Sequence, residues 1–147
     1  MLSQDEEFMR QAIRLARVAL EQGDPPVGSV VVRDGRIIAE GVEAVRRESD
    51  LTAHAELKAV KEACQALGSH DLFGCTLYTT VEPCWMCSFV LRSSRVSRVV
   101  AGRAVPHIGG VSSKYPILTD PGIPNWPPPP VVTIGVLEEE CGALFTG

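Results

Sequence analysis

Two short strings in this chain hold residue types that can bind a metal and move a proton: His54-Ala55-Glu56 and Pro83-Cys84-Trp85-Met86-Cys87. A Cys-x-x-Cys at a helix start can turn both sulfurs to one ion, and the positive end of the helix dipole favours the thiolate a metal needs. Alone, that pair also fits a redox dithiol or half of a structural zinc site. His54 supplies a third ligand of the right type. Three protein ligands leave one position of a tetrahedral zinc open, as catalytic sites do. Zn²⁺ with two thiolates and a neutral imidazole sums to zero charge, so it acidifies water less than a three-histidine site would. A nearby base must then take the proton, and Glu56 is placed for that. One geometric condition follows. Residues i and i+2 do not face each other on a regular helix, so His54 must sit at the very first turn, directed across the mouth of the site.

The elements that must hold these residues follow from patterning. Ser3 with Glu6 reads as a capping box, and Phe8, Ala12, Leu15, Ala16 and Ala19 recur at helical spacing until Gly23. After Pro25-Pro26 the β-branched run Val27 to Val32 predicts a buried strand. Asp34-Gly35 predicts a hairpin, with the return strand beginning at Ile37. Residues 43–52 read as a polar loop. A second helix is predicted from about Ala53 to Leu67, ended by Gly68, then a strand from Cys75 to Val81. A third helix is predicted from Pro83 to about Arg92, and a strand from Val96 to Ala101. From Gly102 to Pro130 the pattern dissolves into glycine and proline. Val131 to Val136 reads as a last strand and Leu137 to Leu144 as a short helix. Strands alternating with helices predict an α/β layered domain with helices on both sheet faces. All of 1–147 reads as a single domain, with 103–130 a Gly/Pro-rich lid or pocket-wall insertion.

Composition narrows the classes. The chain has 147 residues, enough for one domain with its own core, and a net charge of −4, which implies no broad basic surface for phosphates. Five cysteines are a poor disulfide framework at this size, so Cys64, Cys75 and Cys141 read as small core residues. Nothing approaches the roughly 18 consecutive apolar residues of a membrane span. Asp5, Glu6 and Glu7 stand where a signal peptide would need positive charge. The expectation is a soluble cytoplasmic protein without a membrane partner.

His-x-Glu at one predicted helix start, thirty residues before Pro-Cys-x-x-Cys at the next, is a specific conjunction. The strings PVGSVVV (26–32), DLTAHAEL (50–57), TLYTTVEPCWMC (76–87) and SRVSRVVAG (94–102) carry a resemblance to the cytidine deaminase-like superfamily. More narrowly, the chain resembles the branch of bacterial tRNA adenosine deaminases, guanine deaminases and fungal cytosine deaminase. The resemblance implies a three-layer α-β-α sandwich with a five-stranded mixed sheet, usually a homodimer. It implies zinc on His54, Cys84 and Cys87, with Glu56 the catalytic proton shuttle in hydrolytic removal of an exocyclic amine. It also implies substrate-binding roles for Val27, packed against the ring, and for backbone groups at Ala55 and near Glu82.

Two departures bear on substrate. Relatives commonly place an asparagine on the loop after the second strand, where counting back from His54 puts Glu43. An ionised glutamate only accepts hydrogen bonds, so Glu43 is expected either to face a donor on the substrate or to point to solvent. Relatives also carry a short helix where this chain has 103–130, whose His107, Tyr115 and Trp126 suggest a lid that stacks on a flat ring. Trp85 is expected to pack beneath the site, and Phe145 is a weak candidate to approach the pocket. The negative net charge, the missing asparagine and a tail without a basic cluster place a small free heterocycle ahead of a tRNA anticodon loop. The expected partner is therefore a small molecule and not a nucleic acid. A third reading is a zinc-stabilised scaffold without catalysis, against which the presence of Glu56 argues.

Overall fold

A computed structural model describes residues 3–146. Helix α1 (Gln4–Glu21) opens on the expected box: Ser3 Oγ accepts from Glu6 N–H at 3.1 Å, and the Glu6 carboxylate accepts from Ser3 N–H at 3.3 Å. Strands β1 (Gly28–Arg33) and β2 (Arg36–Val42) are joined by Asp34-Gly35, both left-handed at φ 51° and 75°, as a twist-compatible two-residue turn requires. Helix α2 (Ala55–Leu67) stops at left-handed Gly68. Then follow β3 (Thr76–Val81), α3 (Trp85–Ser93), β4 (Arg98–Arg103), β5 (Val131–Ile134) and α4 (Glu138–Ala143).

The five strands form one mixed sheet in the order β2-β1-β3-β4-β5. β1 pairs antiparallel with β2 and β3, whereas β3, β4 and β5 run parallel. Alternating side chains feed the two faces. Val31, Leu77 and Val99 pack with Ala59, Val60 and Ala63 of α2 and Leu91 of α3. Val30, Tyr78 and Val100 pack with Met9, Ala12 and Ile13 of α1 and Cys141 of α4. Helices therefore cover both faces, and the three-layer reading stands. Cys75 and Cys141 are buried, and Cys64 is half-buried beside the first of these cores. Among the described residues, no helix is long and apolar enough to cross a membrane.

Two helix starts differ from the pattern, and the difference matters. The second helix begins at Ala55, not Ala53, because the Asp50 carboxylate ties Thr52 N–H and Oγ into a turn and His54 N–H bonds Thr52 O. The third begins at Trp85, not Pro83. The residues left just outside, His54 and Cys84, are the two N-caps, both in extended conformation. In segment 103–130, Arg103 ends β4 and the rest forms turns, irregular stretches and one isolated bridge, Cys84 to Gly109.

Candidate active site

β3 ends beside the start of β1, and α2 and α3 both begin at that edge, so one cavity of about 120 Å³ collects their ends. It is lined by Val27, Glu43, His54, Glu56, Val81, Glu82, Cys84, Val105 and Ile108. A larger groove of about 630 Å³ runs along α2 past Cys64 and Val90, and none of the three expected ligands lines it.

His54 at the N-cap satisfies the geometric condition. Its extended backbone (φ −74°, ψ 146°) sends the imidazole across to the cysteines instead of along the helix. Nδ1 lies 3.7 Å from Cys84 Sγ and 3.5 Å from Cys87 Sγ. A tetrahedral zinc with the usual bond lengths would set nitrogen and sulfur about 3.5 Å apart, so the donor set fits zinc in kind and spacing. The three groups are close enough to shift one another's pKa values. Cys84 is drawn down to about 4, first by the hydrogen bond from the Cys87 thiol, with burial opposing and His54 assisting. Cys87 is pushed up, first by that same bond and then by burial. His54 is raised to about 9, chiefly by its contact with Cys84. A metal ion takes the place of the protons on these groups.

Glu56, in the first turn of α2, is 3% exposed, and its Oε1 has no hydrogen-bond partner among the described residues. Burial pushes its carboxyl up to about 8, and the negative Glu43 adds to this. A buried carboxyl oxygen without a partner is costly unless a ligand supplies one. Acceptor oxygens of Glu43, His54 Nδ1 or Nε2 and an oxygen of Glu56 lie within 4.8 Å of one another. A Glu56 oxygen is thus within reach of the imidazole that also faces Cys84 and Cys87.

The other expected residues are placed as follows. Val27, 8% exposed, walls the cavity. Glu43 does not point to solvent: it is 5% exposed, and its Oε1 accepts the Ala55 N–H at 2.8 Å. Burial raises its pKa, partly offset by that bond. Of the Ala55 backbone groups expected to orient a ring, the N–H is therefore already engaged. Glu82 lines the cavity, but its carboxylate faces segment 103–130, taking N–H bonds from Val105 and Val111 at 2.9 Å, from Ser112 at 2.8 Å, and the Ser112 hydroxyl. From that segment the cavity receives the aliphatic Val105 and Ile108, not the aromatics. Tyr115 packs edge-on to Trp85 at 5.8 Å, and Trp126 lies on Phe89 at 5.5 Å, both away from the cavity. Trp85 is 36% exposed and bonds Ser113, so it does not pack beneath the site. Phe145 stacks under the Arg103 guanidinium at 4.3 Å.

Two buried groups carry weight that patterning does not reveal. Arg92, 1% exposed at the end of α3, donates to the carbonyls of Ile117, Asp120 and Pro127 at 2.6–2.8 Å and lies over Trp126. Asp24 accepts the backbone N–H groups of Arg46 and Arg47 and fixes the loop that carries Glu43. An arginine near a helix end is the only signal for the first, and nothing in the sequence marks the second.

The family described as "Cytidine and deoxycytidylate deaminase zinc-binding region" matches residues 2–103. A tRNA-specific adenosine deaminase of Aquifex aeolicus is 44% identical over 116 residues, covering 79% of this chain and 77% of that protein. A tRNA-specific adenosine deaminase of Bacillus subtilis is 40% identical over 145 residues, covering 99% and 88%. A solved structure from work on A-to-I editing by tRNA:A34 deaminases superposes with a TM-score of 0.87 at 37% identity, covering 94% of this chain and 98% of that one. These relatives overturn the ranking of a small free heterocycle above tRNA, and with it the expectation of no nucleic-acid partner. The reason is physical: net charge sums the whole surface and says little about the few groups at one cavity mouth.

Proposed function

This chain belongs to the cytidine and deoxycytidylate deaminase zinc-binding family and is a zinc-dependent deaminase, and from that premise we propose that its substrate is an adenosine in a tRNA anticodon loop. What carries the substrate class is the similarity to tRNA-specific adenosine deaminases along nearly the whole chain. Local charge is compatible with it. Exposed Arg46 and Arg47 follow Glu43 on the same loop, and Arg103 lies two residues before the cavity residue Val105.

In this proposal His54, Cys84 and Cys87 hold the zinc, whose Lewis acidity makes water a nucleophile near neutral pH. Glu56 is the proton carrier. Its unpartnered oxygen takes one proton from water as the water oxygen bonds to the amine-bearing carbon, and hands it to the ring nitrogen; it then takes the second proton from the new C–OH and hands it to the departing amine. The C–N bond breaks, ammonia leaves and inosine remains. A carboxyl with a raised pKa suits both halves of that exchange. Val27, Val81, Val105 and Ile108 give the base apolar walls and limit water.

A dimer is part of the proposal. Leu51, 87% exposed, with Trp85 and Phe89 leaves apolar side chains uncovered around α2 and α3, where a second copy would shield them. A cytoplasmic location is also part of the proposal, since the enzyme must meet its tRNA. The test is an RNA anticodon stem-loop bearing adenosine at the wobble position, run beside free adenosine, adenine, guanine and cytosine with the zinc-loaded protein. Inosine in the stem-loop, without comparable ammonia release from the free compounds, is the expected result. Turnover of a free ring and none of the RNA would overturn the substrate assignment.

A further inference from the structure

A helix start needs partners for its first N–H groups, and the N-cap side chain normally supplies one. The N-cap of α2 does not, because His54 has turned its imidazole to the cysteine sulfurs. The missing partner comes from elsewhere. Glu43, twelve residues before Ala55 and just past β2, accepts the Ala55 N–H on its Oε1 at 2.8 Å. Its segment is held on both sides: Glu43 N–H donates to Val27 O at 3.1 Å, and Ala44 N–H to Ala53 O at 3.0 Å. Two residues back, Gly41 lies so close to the carbonyl oxygen of Ala55 that a Cβ there would overlap it. Ala55, the one residue between His54 and Glu56, is thus bonded at its N–H by Glu43, and its C=O packs against Gly41.

We propose that Glu43 is a positioning residue: it caps the first N–H of α2, at a helix start where the His54 side chain gives no cap, and thereby fixes the angle between the His54 imidazole and the Glu56 carboxyl. The inference rests on the roles proposed above for His54 and Glu56. It makes a different use of Glu43 from a substrate contact, since the oxygen that meets Ala55 is spent on the protein's own backbone. It also explains how a loop glutamate comes to be buried, and why Ala55 N–H offers nothing to a ring.

The test separates capping from substrate contact and from simple charge. Glu43→Gln keeps an acceptor oxygen at the same reach, Glu43→Asp keeps the charge but shortens the reach, and Glu43→Ala removes both. Zinc affinity is measured by competition with a chromophoric chelator, and kcat and KM on the anticodon stem-loop. Glu43→Gln is expected to stay within about threefold of the parent in both, whereas Glu43→Asp and Glu43→Ala weaken zinc binding by about tenfold or more. In those two variants kcat falls while KM stays near the parent value. Unchanged zinc affinity with a raised KM would overturn the proposal in favour of substrate contact. Glutamine failing while aspartate succeeds would overturn it in favour of charge. Zinc affinity is read without RNA, so failure of the parent protein to deaminate the stem-loop would strike the substrate assignment and leave the Glu43 role to be judged separately.

Discussion

Glu56 and Glu82 line the same cavity and are almost equally buried, at 3% and 2% exposure, yet the protein treats them in opposite ways. Glu82 meets four donors from residues 105–112, and these outweigh the upward push of burial, so its pKa ends below the usual carboxylate range. Glu56 has one oxygen with no partner, and burial carries it up to about 8. Burial sets the cost of a charge, and hydrogen bonds decide whether that cost is met. One carboxylate is saturated and holds the wall. The other is left wanting a partner, which is the condition of a group that works on a ligand. The wall has a second anchor at the far end of α3, where Arg92 donates to three carbonyls of residues 117–127.

Breaking the saturated carboxylate tests the wall. Glu82→Ala strips partners from three backbone N–H groups and a hydroxyl, and should cost about 3–4 kcal/mol, read by chemical denaturation. A loss no larger than that of a surface substitution would mean the segment holds itself. Arg92→Met comes next. It removes three bonds to carbonyls that can turn partly to water, so about 2 kcal/mol is expected, with unfolding still a single transition. The smallest effect is expected far from the cavity. Asp5 is held below its ordinary value by its bonds with Arg98, with Tyr78 adding and burial opposing. A lowered carboxylate stabilises the fold above its unfolded pKa, near 4, and that contribution fades as pH falls through the lower folded value. Asp5→Asn should therefore flatten the acid limb of the stability profile by less than about 1 kcal/mol, because the pair is partly exposed. A larger change, or one that grows above pH 7, would contradict that assignment.

The difference between wall and floor also marks what could be read from the sequence. The capping box at Ser3, the hairpin at Asp34-Gly35, the alternating strands and the two motifs that carry the cluster are local signals, and they were legible. The helix starts were legible only to within two residues, and those residues are the N-caps His54 and Cys84. Glu82, Arg92 and Glu43 act through partners twelve to thirty-five residues away. In 103–130 no periodicity announces such partners. The aromatics there promised a stacking lid, but Tyr115 and Trp126 pack on α3 and the cavity receives Val105 and Ile108 instead. Substrate was the least legible feature, since one charge total and one loop residue stood in for a surface.

The most direct test is Glu56→Gln, followed in one preparation by inosine formation in the stem-loop, zinc content and melting temperature. The expected result is a loss of turnover of about 10³-fold, with zinc retained and melting near the parent value, since the amide matches the carboxyl in shape and is neutral at every pH. Turnover within a few-fold of the parent would contradict the role of Glu56. Lost turnover together with lost zinc or a collapsed fold would show that Glu56, like Glu82, serves the structure and not the chemistry.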